Sequence, residues 1–204
     1  KQARLALNGL PSLLIVGHAL LWPAQVLGAN ETPLALASIF SDHAVLQRDR
    51  PLTLWGTGPA HAKVRVELGK AASETSIEAD GNWAMTLEAQ PVGEGLTLRV
   101  YLNGRLATER RGLALGDVWL CSGQSNMEFE LHKAANGASE VANSTDPDLR
   151  LLLIPRKRSF VETTLERKAA WATSNPAAAA NFSAACYYMG RDLRRRQKIP
   201  IGLI

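Results

Sequence analysis

The 204 residues carry 46% hydrophobic and 21% charged side chains with a formal net charge of +4, a composition that fits one ordinary globular domain or two small ones and excludes a disordered chain. The positive surplus is local, since Arg191, Arg194, Arg195, Arg196 and Lys198, set against Asp192, account for all of it. Aromatics are only 6% and none interleave with that run, so it reads as the last turn of a helix, whose negative dipole end favours cations, and nucleic-acid binding is not expected.

In chain order, Lys1 and Arg4 precede a largely apolar stretch over residues 10–27, and Leu27-Gly28-Ala29 places small residues before Asn30. Residues 1–29 are therefore expected to be a secretory signal peptide, which makes the protein secreted or periplasmic. A stable membrane span is not expected, because Pro11, His18, Pro23 and Gln25 interrupt the run.

From residue 33 to residue 112 the apolar period is two. Val64, Val66 and Leu68 alternate with charges, and Leu96, Leu98, Val100 and Leu102 share one face, as half-buried strands require. Asp80-Gly81 and Asn103-Gly104 favour the positive φ of tight hairpin turns. With residues 34–40, 45–47, 52–55, 75–79 and 83–87 also extended, about seven short strands and almost no helical pattern imply a small antiparallel β-sandwich.

After Gly112 the pattern changes. Residues 118–121 form a short apolar strand leading into Ser122-Gly123-Gln124-Ser125, after which Met127, Leu131, Ala134, Ala135 and Ala138 recur at helical spacing. Residues 149–154 and 199–204 read as further strands, 155–165 as a polar connection, and 182–196 as a helix with Asn181 or Ser183 near its cap. Strands alternating with helices imply a parallel α/β layer, here incomplete. Cys121 and Cys186 each lie in an apolar segment and are expected as buried free thiols, although an exported chain would permit a bridge.

Ser125 stands where a strand is expected to hand over to a helix. There its backbone N–H groups and the helix dipole would stabilise an oxyanion, and Gly123 would leave room for substrate. The same position also suits a serine that merely caps a helix. The block Gly116-Asp117-Val118-Trp119-Leu120-Cys121-Ser122-Gly123-Gln124-Ser125-Asn126-Met127-Glu128 closely resembles the signature of sialate O-acetylesterases, which are SGNH-type hydrolases. Further segments also resemble this family: Ser38-Ile39-Phe40-Ser41-Asp42-His43, Val45-Leu46-Gln47-Arg48, Trp55-Gly56, Trp83, Phe182-Ser183-Ala184, Tyr187-Tyr188, Gly190-Arg191 and Pro200-Ile201-Gly202-Leu203-Ile204.

The resemblance implies a β-sandwich over residues 33–112, followed by the first part of a three-layer α/β SGNH-type domain over residues 113–204. It makes Ser125 the nucleophile, with Gly123, Gln124 and Asn126 as substrate or oxyanion contacts. The implied substrate is an O-acetylated sugar or glycan. No His, Cys, Asp and Glu cluster has metal-ligand spacing, and ester hydrolysis by serine requires only a base, oxyanion donors and water, so no metal and no cofactor are expected. Phe129-Glu130 stands where the family usually has an aromatic and a proline. The Gln-Gly-Glu-x-Asn segment and the Asp-x-x-His pair that supply the family's remaining oxyanion donors and its base do not occur in the 204 residues, so the chain is expected to be an N-terminal fragment.

No histidine replaces that base. His18 lies in the expected signal peptide, His43 and His61 in the β region, and His132, seven residues after Ser125, would stand roughly 10 Å away along a helix, where a base needs about 3 Å. Little or no esterase activity is therefore expected of this polypeptide alone. Two other readings fit the sequence: an acetylxylan esterase-like enzyme, and a non-catalytic β-sandwich that binds a glycan or a subunit beside a vestigial hydrolase segment.

Overall fold

A computed structural model describes residues 32–155 and 169–204. The expected signal peptide and most of the polar connection at 155–165 lie outside the described residues. The elements in chain order are β1 (Ala35–Leu36), β2 (Val45–Gln47), β3 (Leu52–Thr57), β4 (Lys63–Leu68), β5 (Ala71–Ser76), β6 (Asn82–Leu87), β7 (Gly93–Leu102) and β8 (Arg105–Trp119). A 3-10 turn (Leu131–Lys133) follows, then α1 (Gly137–Ala142), β9 (Asp146–Leu151), β10 (Ala172–Ser174), α2 (Pro176–Ala180), α3 (Ala184–Gln197) and β11 (Ile201–Leu203).

They form a mixed, sheet-rich fold. One sheet has the order β1-β3-β6 and is antiparallel. The other runs β10-β9-β11-β8-β7-β4-β5, with β2 also on β8. The alternation seen in the sequence sets which faces meet: Val64, Val66, Leu68, Leu98 and Val100 from the larger sheet and Leu54, Trp83, Met85 and Leu87 from the smaller share one buried core. Close approach within the smaller sheet depends on Gly56, where a Cβ would lie 2.0 Å from the Ala35 carbonyl oxygen and 2.8 Å from the Trp83 ring.

Strand β8 joins the two halves of the larger sheet. Its first part pairs antiparallel with β7, from Leu102↔Arg105 to Gly93↔Leu115. Its last residues pair in parallel with β2 (Val45↔Ala114 to Gln47↔Gly116) and then with β11 (Ile201↔Asp117 to Leu203↔Trp119). The change of pattern expected at Gly112 is present as a positive φ of 67° inside a continuous strand. Arg150, which is buried, bridges the same place: its Nη1 donates to the carbonyls of His43 (3.0 Å) and Gly112 (2.5 Å), and its Nε donates to Pro147 O (3.2 Å). Desolvation holds this guanidinium below the usual arginine range, and the three carbonyls stand in for the water it loses.

Several expectations need correction. Asn103-Gly104 does close a hairpin, with φ of 49° and 79° between β7 and β8. Asp80-Gly81 also turns with a positive φ, but the strands it joins belong to different sheets, β5 pairing with β4 and β6 with β3, so it is a crossover and not a hairpin. The strand expected at 34–40 shrinks to β1, because Trp55 O accepts from Ala37 N and the next residues turn, Phe40 N donating to Ala37 O. The Ala177–180 run is most of α2, started by Asn175, whose side chain accepts from Ala178 N. Cys121 and Cys186 are bridged, with Cα atoms 6.0 Å apart. α3 packs on β11 through Gly190, where a Cβ would lie 2.5 Å from Leu203 Cδ1, and the bridge ties its first turn to the residues just after β8.

Candidate active site

Three parallel strands end level with one another. Leu203 of β11 lies beside Trp119 of β8 on one side and Leu151 of β9 on the other. Beyond them the pairing runs on for one more step, with Ile204 N donating to Trp119 O, Cys121 N to Ile204 O and Leu152 N to Leu203 O. Two glycines permit this close array. A Cβ on Gly116 would lie 2.0 Å from the Pro200 carbonyl oxygen, and one on Gly202 would lie 2.8 Å from Val45 Cβ and 3.0 Å from the Trp171 ring.

Asp117 is fixed by Arg48 (Nε–Oδ1 2.9 Å), and Gln47 Oε1 accepts from Val118 N (3.0 Å). The segments Val45-Leu46-Gln47-Arg48 and Gly116-Asp117-Val118, far apart in sequence, are thus a single structural unit under the site. The Asp117 hydrogen bond and charge raise the Arg48 guanidinium above its ordinary value.

The loop that carries Ser125 follows directly. Ser125 is exposed, in a turn closed by Met127 N to Gln124 O (2.8 Å) and Glu128 N to Ser125 O (3.2 Å). The helix expected from Met127 onward does not form. Met127 packs against Gly123, where a Cβ would meet Met127 Cγ at 2.7 Å, Leu131 is buried in a 3-10 turn, and Asn136 takes a left-handed φ of 60° before the short α1. Gly123 therefore makes room for Met127, and among the described residues no helix begins at Ser125. Among the described residues the Ser125 hydroxyl has no hydrogen-bond partner, and the backbone N–H groups of Gly123, Gln124, Ser125 and Asn126 donate to no acceptor. Such groups are available to a developing oxyanion.

Beside this loop a cleft of about 740 Å³ opens at the carboxyl ends of the parallel strands, where open α/β sheets place their ligands. Its walls come from Leu120, Cys121, Ser122 and Gly123 after β8, residues 152–155 after β9, Ile204 after β11, and Asn181, Phe182 and Ser183 before α3. Ser122 and Gly123 line it, whereas Gln124, Ser125 and Asn126 stand on the exposed part of the loop. The apolar side chains of Leu120 and Leu153, 75% and 56% exposed, form the rim.

His132 is not on a helix with Ser125: its Nδ1 lies 3.0 Å from Ala180 O and its Nε2 3.6 Å from Glu130. His43 packs beneath Gly112, and neither it nor His61 lines the cleft. Among the described residues no group of His, Cys, Asp and Glu could hold a metal ion.

Sequence reasoning missed four supports of this site. The disulfide had no signal beyond the two cysteines. Arg48 and Asp117 stood inside quoted motifs, but their pairing is a contact across 69 positions. Arg150 and Trp171 stood outside every motif, and Trp171 closes the lower side, its Nε1 donating to Ile39 O (2.8 Å) and its N to Ser41 Oγ (3.0 Å).

No family model matches the chain. Curated relatives do: the sialate O-acetylesterase of Mus musculus is 29% identical over 210 residues, covering 93% of this chain and 38% of that protein. The Homo sapiens sialate O-acetylesterase is 27% identical over 203 residues, covering 91% and 38%. Among solved structures, a carbohydrate acetylesterase from Xanthomonas citri superposes with a TM-score of 0.79 at 33% identity, covering 83% of this chain and 39% of that one. The chain thus spans about two fifths of the length of these relatives. The sequence signature, the relatives and the superposed fold agree: the chain is similar to the sialate O-acetylesterases and, in fold, to a carbohydrate acetylesterase.

Proposed function

We propose that the protein to which these residues belong is a secreted or periplasmic carbohydrate O-acetylesterase with Ser125 as its nucleophile. The observation that carries this reading is the position of the Ser125 loop: it leaves the carboxyl end of β8 beside the cleft, with a hydroxyl and neighbouring backbone N–H groups that have no partner among the described residues. Ser125 Oγ attacks the acetyl carbonyl, and its proton passes to a histidine outside the described residues. N–H groups of Gly123, Gln124, Ser125 and Asn126 stabilise the oxyanion. The sugar oxygen leaves with the proton, and water then hydrolyses the acetyl-enzyme.

The finer architecture belongs to the same proposal: a β-sandwich over residues 33–112, then SGNH-type α/β structure over 113–204, with β8 continuing across the junction. The shared core of the two sheets and the parallel β9, β11 and β8 support it. Export is supported by the apolar segment before Asn30 and by the Cys121–Cys186 bridge, a bond typical of oxidising compartments.

Acetate release by the gene product, read from its natural start to its natural stop, tests the function. Ser125→Ala should lower turnover of an acetylated sialoside by about four to six orders of magnitude, while Ser122→Ala keeps most of it. Loss confined to Ser122→Ala would move the nucleophile to the hydroxyl that lines the cleft. Acetylated xylan assayed in parallel separates a sialate from an acetylxylan preference. The 204 residues alone contain no Asp-x-x-His pair, and they are expected to hydrolyse aryl acetates weakly or not at all.

A further inference from the structure

The loop of residues 122–128 rests on two supports, and both stand on the same few residues. At its far end, Leu131 N donates to Phe182 O (2.9 Å), Ala184 N donates to Phe129 O (2.8 Å), and Glu130 forms a bridge with Ser183. At its near end, Cys121 is bonded to Cys186 in the first turn of α3. Residues 182–186 thus hold both ends. Between them the backbone–backbone bonds among the described residues are the two local turn bonds at Met127 and Glu128. The bond from Cys121 N to Ile204 O ends the sheet, and among the described residues no backbone–backbone bond holds Ser122 or Gly123 thereafter.

The bridge itself reaches from core to surface. Cys186 is buried among Leu149, Tyr187 and Leu203, and its N–H is held by the Ser183 side chain (3.3 Å). Cys121 is half-buried and lines the cleft. We propose that the Cys121–Cys186 disulfide is a positioning element for the nucleophile loop: it clamps the strand-to-loop junction to α3 and so fixes where Ser125 and its neighbouring N–H groups stand relative to the cleft. The proposal rests on the reading of Ser125 as nucleophile. Its physical basis is that a segment held at both ends samples far fewer conformations than one held at a single end. Segments with few buried contacts are also the ones that open locally without global unfolding.

The gene product carries the test, both as the wild type treated with a trialkylphosphine and as the double variant Cys121→Ser with Cys186→Ala. The phosphine gives two electrons to the disulfide, leaving two thiols, and takes up a water oxygen to become the phosphine oxide. Two readouts are taken, amide hydrogen exchange and the split between kcat and KM. Exchange over residues 122–128 is expected to rise about tenfold or more while β8, β11 and α3 stay within about threefold. In the same samples kcat should fall with KM little changed, as for a misplaced reacting group. Unchanged exchange in the loop overturns the proposal. Uniform acceleration through β8, β11 and α3 also overturns it, since the bridge would then be a staple of the whole fold. Should Ser125→Ala leave turnover intact, the nucleophile assignment fails, whereas the exchange result still decides whether the bridge holds the loop.

Discussion

Strand β4 and the loop of residues 122–128 lie in one described unit and are held by different means. β4 is paired along both edges, with β5 and β7, and its Val64, Val66 and Leu68 are fully buried. Nearly all of its order comes from a repeating pattern of side chains and a regular ladder. The loop has two turn bonds of its own and exposed side chains at most positions, and it takes its shape from a disulfide and from backbone contacts made 50 or so residues away. Many equivalent contacts share the load in the first region. A few distinct ones carry it in the second, which is how a rigid scaffold can present a reactive group on an exposed loop.

The largest effect should come from emptying the core of the patterned region. Trp83 is buried, packs over Gly56 and donates its Nε1 to Thr57 O at 3.3 Å. Trp83→Ala should cost about 4 kcal/mol of unfolding free energy, measured by urea denaturation. Phe129 is 47% exposed and contributes to the loop's foot through its backbone, so Phe129→Ala should cost less than about 1 kcal/mol. Equal losses at the two positions would mean that the loop is held by side-chain burial after all.

Next in size is Gly116→Ala, at the join between the regions. The new Cβ would lie 2.0 Å from the Pro200 carbonyl oxygen, and backbone atoms on a paired strand have little room to yield. A loss of about 3 kcal/mol is expected, together with faster amide exchange at residues 201–203. A destabilisation without any change in exchange at β11 would show that the strands separate less than this geometry requires.

The same division explains what could be read from the sequence. Alternation at Val64, Val66 and Leu68 and the Asn103-Gly104 turn announced their strands and hairpin, because period and turn chemistry act over neighbouring residues. Met127, Leu131 and Ala134 also showed a local period, and it misled. Their burial against α3 and Gly123 is real, but Glu130 is held by Ser183 and Asn136 breaks the backbone, so the spacing never becomes a helix. The proposal of Ser125 rests on a long motif and not on helix geometry, since the expected helix start is absent. The disulfide and the Arg48–Asp117 pair are contacts between distant residues, and composition and spacing carry no record of them.

The smallest effect distinguishes the regions by pH. On the patterned sheet, Glu67 accepts from Arg65 (2.9 Å) and from the Tyr101 hydroxyl (3.0 Å). The Arg65 hydrogen bond first, then that of Tyr101, holds its carboxyl below the ordinary value of 4.5. A depressed folded-state pKa means that the folded protein favours the ionised form. The stabilisation from Glu67 is therefore fully present above the unfolded value and disappears as the pH falls through the lower folded one. Glu67→Gln should accordingly lower the urea midpoint slightly at pH 7 and approach the wild type as the pH falls through the lowered folded-state value, where both side chains become neutral. Exchange in residues 122–128 should be the same in the two proteins once the intrinsic effect of pH is removed, because the pair belongs to a ladder that the loop does not touch. A midpoint difference that persisted in acid would assign the loss to the shape of the side chain and not to its charge.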